Sequence, residues 1–346
     1  SLKATTTLDI GYIEENDRVT LQYFDAAMMP KIAFSTSTTY DFALINTTST
    51  YKNRAAITGT SSTSYAFFVD DTYQIVFATS SGSDFSTWSS TSVIDTTGIT
   101  SGDVAIIGAE VDASSTLHLA YYMQQDPTPT GEVIYASSSD SGLTWTSSSI
   151  ATGLVNDSGS VNKSLSSITD LAIDNNNLPG IVYTDVYDDD GDFYGTNHIL
   201  SKKALNGSWS TSSIFTKSVT GNNTNGFYIK PQLSFFSSDN YALVSFYSAD
   251  KFLPPKFANN MTGSFVETSI IPTSTQLNQV DYYADVSHAV DTVNGVLATS
   301  LVKANGTLSF VTSSIEAPAA PTAPSNLTFN KSTIATDEIT LIWNDN

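Results

Sequence analysis

Cysteine is absent from this 346-residue chain, arginine occurs twice, histidine three times, and glutamate seven times against 27 aspartates. Without cysteine there are no disulfide staples, thiolate zinc sites or cysteine nucleophiles. With 14 Lys and Arg against 34 Asp and Glu the formal net charge is −20, which argues against nucleic-acid partners, because DNA and RNA are held by clustered cations. No apolar run approaches the roughly 20 residues that span a bilayer as a helix. A chain that opens on Ser1 rather than Met reads as processed or trimmed, with any signal or anchor outside it. The shortage of Glu also removes a residue that favours helices.

Ser and Thr fill the space, at 96 positions together, accompanied by Asp and Asn. These side chains hydrogen-bond nearby backbone and so favour turns over helices. Forty per cent of the residues are hydrophobic, with 18 Phe and 17 Tyr, enough for a large core despite the acidity. The composition predicts a folded, all-β protein with many short connections.

One strand-like segment recurs: Lys31-Ile-Ala-Phe-Ser-Thr-Ser-Thr38, Gln74-Ile-Val-Phe-Ala-Thr-Ser-Ser81, Glu132-Val-Ile-Tyr-Ala-Ser-Ser-Ser139 and Thr307-Leu-Ser-Phe-Val-Thr-Ser-Ser314. A shorter apolar strand precedes each, at residues 19–24, 65–69, 117–122 and 296–301. Weaker equivalents fall at 180–184 with 198–203 and at 242–247 with 256–259. A turn and a strand opening on an aromatic follow most of them, at Phe42, Trp88, Trp145, Trp209 and Phe265. The unit is a four-stranded meander of about 45 to 65 residues, seen six times, the pattern of a β-propeller whose sheets bury their faces against one another. The expectation is a six-bladed β-propeller of four-stranded antiparallel blades.

The sixth repeat runs into Pro- and Ala-rich sequence without a fourth strand, while residues 1–7 are a spare segment ahead of the first repeat. A ring closed by the N-terminal strand, lying as the outer strand of blade six, leaves no open edge. The propeller is expected over residues 1–316, followed by a Pro/Ala-rich linker at 317–324. Residues 325–346, with Pro324-Ser-Asn-Leu327 and Leu341-Ile-Trp343, resemble the first strands of a fibronectin type III sandwich, which needs about 90 to 100 residues. Further domains are therefore expected beyond residue 346.

Ser138-Ser-Asp140-Ser-Gly142-Leu-Thr144-Trp145 matches the pattern Ser-x-Asp-x-Gly-x-Thr-Trp at every fixed position. Partial copies stand at the same point of neighbouring repeats, Ser81-Gly-Ser-Asp84-Phe-Ser-Thr87-Trp88 and Asn206-Gly-Ser-Trp209. By these residues the chain resembles the Asp-box propellers, a set that includes sialidases and many non-catalytic surface and sorting proteins. The motif is a local device: Asp accepts backbone N–H groups within a hairpin turn, Gly permits positive φ, and Trp packs between sheets. The resemblance to sialidases implies three arginines gripping a substrate carboxylate, beside a Tyr/Glu pair and an acid Asp. Arg18 and Arg54 are the only arginines, and lysine does not reproduce the two-pronged guanidinium grip. Sialidase activity is disfavoured, and the resemblance bears on fold rather than function.

Aligned on their apolar alternation, the inner strands of the six repeats begin with Asp9, Arg54, Asp103, Asp170, Lys230 and Asp285, all charged. Strands radiating from a central channel place these six in a ring at one mouth of it. One reading is a salt-bridged collar that compensates its own charges. Another is a ligand site, in which Asp103 with Asp170 and Asp9 with Asp285 share Ca²⁺ or hydrogen-bond sugar hydroxyls. A third, paired carboxylates for glycoside hydrolysis, requires a separation of roughly 5 to 9.5 Å and one raised pKa.

The loops between second and third strands belong to the same face, at residues 25–29, 70–71, 123–126, 185–195 and 248–255. The longest holds Asp188-Asp-Asp190-Gly-Asp192-Phe-Tyr194, with the oxygen density of a Ca²⁺ loop and Asp188, Asp190 and Asp192 as candidate ligands. It departs from the EF-hand pattern because Gly191 comes too early and no Glu closes it, and a solvated acidic loop is the alternative. Tyr194, Phe252, Tyr187, Met28 and Met29 are candidates for stacking on sugar rings or anchoring a protein partner. His118, His198 and His288 all fall in strands with no second histidine nearby, which reads as structural.

Three functions follow. The favoured one is a non-catalytic extracellular or cell-surface module that binds a glycan or surface protein through the loop face, with Ca²⁺ as the one cofactor in question. The second is a glycan-active hydrolase or lyase using channel-mouth carboxylates. The third is a structural component of a surface fibre.

Overall fold

The computed structural model describes residues 9–13, 18–24, 30–35, 40–44, 56–60, 63–70, 72–81, 88–94, 102–125, 130–155, 168–189, 192–218, 228–236, 240–248, 255–261, 263–269, 283–291, 296–303 and 308–314. The expected closing strand at 1–7, Met28, Met29, Arg54, Asp190, Phe252, the linker and the fibronectin-like segment lie outside the described residues.

Among the described residues 23 strands form six antiparallel sheets. The first holds Asp9–Ile13 (β1), Arg18–Phe24 (β2), Pro30–Ser35 (β3) and Tyr40–Leu44 (β4). The second holds Ala56–Gly59 (β5), Thr63–Val69 (β6), Ile75–Ser81 (β7) and Ser89–Ile94 (β8). Gly102–Val111 (β9), Leu117–Gln125 (β10), Thr130–Ser138 (β11) and Thr146–Val155 (β12) make the third. Ile168–Ile173 (β13), Pro179–Asp189 (β14), Asp192–Lys203 (β15) and Trp209–Ser218 (β16) make the fourth. The fifth is Tyr228–Phe236 (β17), Tyr241–Ser248 (β18), Lys256–Asn259 (β19) and Val266–Ser269 (β20). Tyr283–Asp291 (β21), Val296–Lys303 (β22) and Leu308–Ser314 (β23) form the last.

Every sheet is a meander in chain order, and the last has three strands among the described residues. The repeats read from the sequence thus fall on these sheets, including the weaker fourth and fifth. The chain divides into two compact units, Ser1–Leu165 with the first three sheets and Ser166–Asn346 with the last three. Within the first unit β1 packs on β5 and β5 on β9; within the second β13 packs on β17 and β17 on β21. Within each unit successive sheets therefore meet through their first strands, with the second strands β6, β14 and β18 packed against the next first strand as well.

This layering explains the two kinds of strand. Second strands are covered on both faces, so Ser64 to Val69 of β6 and Leu117 to Tyr122 of β10 are buried without interruption, and they read as apolar runs rather than alternations. Fourth strands have one sheet neighbour only, and there the hydroxyl-rich sequence is exposed, at Thr146 to Ser149 and Ser210 to Ser213. The Ser/Thr excess is in part this solvated rim.

In Ser1–Leu165 the core joins Tyr65, Phe67 and Phe77 of the second sheet to Ile106, Leu117, Leu119 and Tyr121 of the third. Trp145 meets Phe67 and Phe77 edge to face, with centroids 5.8 and 6.1 Å apart. The turn before it is bound by its own side chains. Asp140 Oδ1 accepts the Thr144 N–H at 2.9 Å and Oδ2 the Thr144 hydroxyl at 2.6 Å, while Ser138 Oγ accepts the Gly142 N–H at 2.9 Å. Gly142 has φ +88, and a Cβ there would lie 2.4 Å from Phe77 Cε1, so glycine serves both the turn and the approach of the sheets. In Ser166–Asn346 the core joins Val182, Leu200 and Phe215 to Leu233, Phe235, Val244 and Phe246.

A second turn type recurs without a glycine. Asp70 Oδ1 accepts the N–H groups of Thr72 and Gln74 at 2.8 and 2.9 Å. Asp112 does the same for Ser114 and Thr116, both at 2.8 Å, and Asp174 for Asn176 and Leu178 at 2.8 and 2.9 Å. The fourth residue of each turn takes positive φ: Tyr73 at 65, Ser115 at 64 and Asn177 at 60. One carboxylate oxygen holding two loop donors offsets that strain. Part of the Asp excess is this hairpin lock.

Candidate ligand face

The first strands position the charged residues singled out by sequence. Asp103 stands opposite Gln124, Asp170 opposite Val182, Asp285 opposite Val302 and Asp9 opposite Gln22. Lys230 falls in the irregularity between Ile229 and Gln232. The turns begun by Asp112 and Asp174 mark one common point of the third and fourth sheets. Asp103 lies nine residues before its turn (103 to 112), whereas Asp170 lies four before its own (170 to 174). At about 3.3 Å per residue the five-residue difference is roughly 16 Å of strand. The register also shifts beside the first strands, between Ala120 and Tyr121, Ile168 and Asp170, Ile229 and Gln232, and Tyr283 and Asp285. Each such bulge adds residues to one strand only, so a shared apolar alternation does not give a shared distance from the strand's own end.

Asp170 has a definite task. Its Oδ1 accepts the Leu171 N–H at 3.0 Å and its Oδ2 reaches the next sheet, accepting the Leu233 N–H at 2.7 Å. Gln232 repeats the link one sheet on, its Oε1 accepting the His288 N–H at 3.3 Å. By this contact Gln232 repeats the link that Asp170 makes. These two side chains tie first strands together across sheet faces.

The loop face is described in parts. At residues 70–71, Asp70 is engaged by its own turn, including the Thr72 hydroxyl at 2.7 Å. At 123–126, Gln124 is buried and accepts the Tyr122 hydroxyl at 2.9 Å. The expected loop at 185–195 is mostly strand. β14 and β15 stay paired out to Asp188 opposite Phe193 and Asp189 opposite Asp192, whereas β13 accompanies β14 only over Pro179 to Tyr183 and β16 accompanies β15 only to Gly195. Among the described residues the sheet narrows here to the two paired strands β14 and β15, which bear Asp188, Asp192 and Tyr194. Among the described residues no group of three or more His, Asp and Glu is placed to hold a metal ion, and no helix is long and apolar enough to cross a membrane.

Sequence reasoning missed the buried polar clusters behind this face. His118 meets Asp112 Oδ2 through Nε2 at 3.2 Å and Tyr135 Oη through Nδ1 at 2.7 Å. Burial, with the Asp112 charge as a smaller cause, pushes the Tyr135 hydroxyl up to about 12 against the downward pull of its Ser137 hydrogen bond. Lys202 Nζ lies 2.9 Å from Asp174 Oδ2, out of line for a hydrogen bond, and 4.5 Å over the Phe235 ring. The available signal was Asp at a strand end, five residues ahead of the next strand (112 to 117 and 174 to 179).

No family model matches this chain, and no curated protein matches it in sequence. Among solved structures, a mutant of the Aleuria aurantia lectin in complex with Fucα1-6GlcNAc superposes with a TM-score of 0.52 at 11% identity, covering 89% of this chain and 91% of the lectin. AofleA from Arthrobotrys oligospora superposes with a TM-score of 0.52 at 9% identity, covering 88% of this chain and 81% of its own. The Aleuria lectin is a six-bladed β-propeller. Identities this low speak for the fold alone, and the fold of this chain is that of a β-propeller.

Proposed function

We propose that this protein is a non-catalytic, extracellular carbohydrate-binding propeller that holds a glycan on the face formed by the loops between second and third strands. The observation that carries the reading is the end-to-end likeness to a lectin propeller, at 89% and 91% coverage. We take the six sheets as six blades of one ring, the sixth completed by residues 1–7, with residues 1–316 as the propeller, 317–324 as linker and 325–346 as the start of a fibronectin type III-like domain. The Asp-box reading of Ser138 to Trp145 is supported by the Asp140–Thr144 hydrogen bonds and by Trp145 on Phe67 and Phe77. The paired strands β14 and β15 supply Tyr194 and the acids Asp188 and Asp192, with Asp190 between them, for sugar hydroxyls or Ca²⁺.

A glycan array including fucosylated structures, followed by calorimetry with and without Ca²⁺, tests this. Binding is expected to fall at least tenfold in Tyr194→Ala and Phe252→Ala with an unchanged melting temperature. An array without any bound glycan overturns the proposal, and turnover of a bound glycan overturns its non-catalytic part.

A further inference from the structure

Two imidazoles bracket the fifth sheet, His198 fully buried and His288 half-buried with its Nε2 sealed from solvent. His198, on β15 of the sheet before it, is 0% exposed. Its Nδ1 meets Thr184 Oγ1 at 2.9 Å, and its ring lies 5.7 Å from Phe215 and 5.2 Å from Phe246 of β18. Its Nε2 is sealed from solvent with no hydrogen-bond partner. His288, on β21 of the sheet after it, repeats the arrangement. Its Nδ1 meets Ser245 Oγ of β18 at 2.7 Å, its ring stands edge-on to Phe257 of β19 at 5.7 Å, and its Nε2 is again buried and unpartnered.

No carboxylate faces either ring among these contacts. Their partners are hydroxyls, phenyl rings and the Gln232 amide. Among the described side chains of β14, β16, β17, β18, β19 and β22 the charged one is Lys256. It is paired with Glu267 Oε2 at 2.7 Å and lies over the far neighbour of His198, the Phe215 ring. Lys202, on the strand of His198 itself, is turned to Asp174. Among the described side chains no counterion awaits a proton added to either histidine, and a buried charge without one is strongly destabilising. His118 in the Ser1–Leu165 unit is the contrast, because Asp112 and Tyr135 engage both of its ring nitrogens.

We infer that His198 and His288 form an acid-release device in Ser166–Asn346: each is a neutral wedge between the fifth sheet and a neighbour, and proton uptake frees that sheet while Ser1–Leu165 stays folded. Burial holds His198 down at about 3 and His288 at about 4, against an ordinary 6.5. Protons therefore enter with the opening of the sheet rather than ahead of it. Because both folded-state values are depressed, the stabilisation is present above the unfolded value near 6.5 and is lost as pH falls towards 4 and 3.

The test is an acid titration of the full chain from pH 7 to pH 3, followed by near-ultraviolet circular dichroism and pulse hydrogen exchange read by peptide mass. Exchange is expected to rise first in peptides from 228–269, in a transition that takes up two more protons than the double variant His198→Asn/His288→Asn. That variant is expected to open at least one pH unit lower. A folded double variant that opens at the same pH with the same steepness overturns the inference, as does exchange that begins in residues 1–165. If the variant does not fold at pH 7, the Hε1 resonances of the wild-type histidines decide. Rings that titrate near pH 6.5 within a native spectrum refute it, and rings that change only on opening support it.

Discussion

Replacing Asp170 by Ala separates a clamp from a ligand-binding charge. The carboxylate holds two backbone N–H groups, Leu171 at 3.0 Å and Leu233 at 2.7 Å, and Leu233 is a buried core residue of the next sheet. A buried donor left without its acceptor costs about 1–3 kcal/mol, and hydrogen bonds to a charged group contribute about 1.5–3. With Asp170 half-buried, a loss of about 2 kcal/mol is expected. For a unit of this size that is roughly 4–8 °C in melting temperature. Gln232→Ala removes the equivalent link made by a neutral acceptor at 3.3 Å, so about 1 kcal/mol is expected there. Asp170→Asn behaves like Ala, because one of its two acceptor positions becomes an amide facing an N–H. Calorimetric melting of the three variants, with glycan binding measured in parallel, reads the result. If Asp170→Ala melts within about 1 °C of wild type while binding is abolished, Asp170 is a ligand residue and the clamp assignment is wrong.

Gly142→Ala forces a Cβ to 2.4 Å from Phe77 at φ +88; with Phe77 stacked on Tyr65 and met by Trp145, a loss of about 2–4 kcal/mol in urea denaturation is expected. Lys202→Met leaves Asp174, whose side chain is 1% exposed, without its cation, and costs roughly 2 kcal/mol, less than for a fully buried pair because the Lys202 side chain is 28% exposed. Ser115→Gly stabilises by about 1 kcal/mol, since an exposed serine at φ 64 carries left-handed strain that glycine does not; unchanged denaturant midpoints would count against this. Asp140→Asn lowers the melting temperature at pH 7. The hydroxyl and N–H of Thr144 and the Ser138 hydroxyl hold the Asp140 carboxyl down to about 2, so its contribution is present above the ordinary carboxylate range and lost as pH falls through 2. Melts at pH 7, 4 and 3 should show the difference narrowing only at the acid end.

The sequence by itself determined the strands and their order. Apolar runs such as residues 65–69 and 117–122 could only be strands covered on both faces, and the hydroxyl-rich segments after Trp145 and Trp209 could only be solvated rim. Both are local patterns, and burial follows from them without knowledge of distant neighbours. The Asp140 turn was legible for the same reason, since its hydrogen bonds stay within Ser138 to Trp145. The height of a residue along its strand was not legible. Asp103 lies nine residues before its turn and Asp170 four before its own, a difference that charge and apolar alternation do not record. The segment from Asp188 to Tyr194 looked like a loop because its acids suggested turns, but pairing with the facing strand carried it on as β-structure. Tertiary structure alone decided that Asp170 reaches Leu233 and that Gln232 repeats the link one sheet later. It also left His198 and His288 neutral between sheets. The two backbone links join atoms 63 and 56 residues apart across a face, and no local pattern records which atoms will meet.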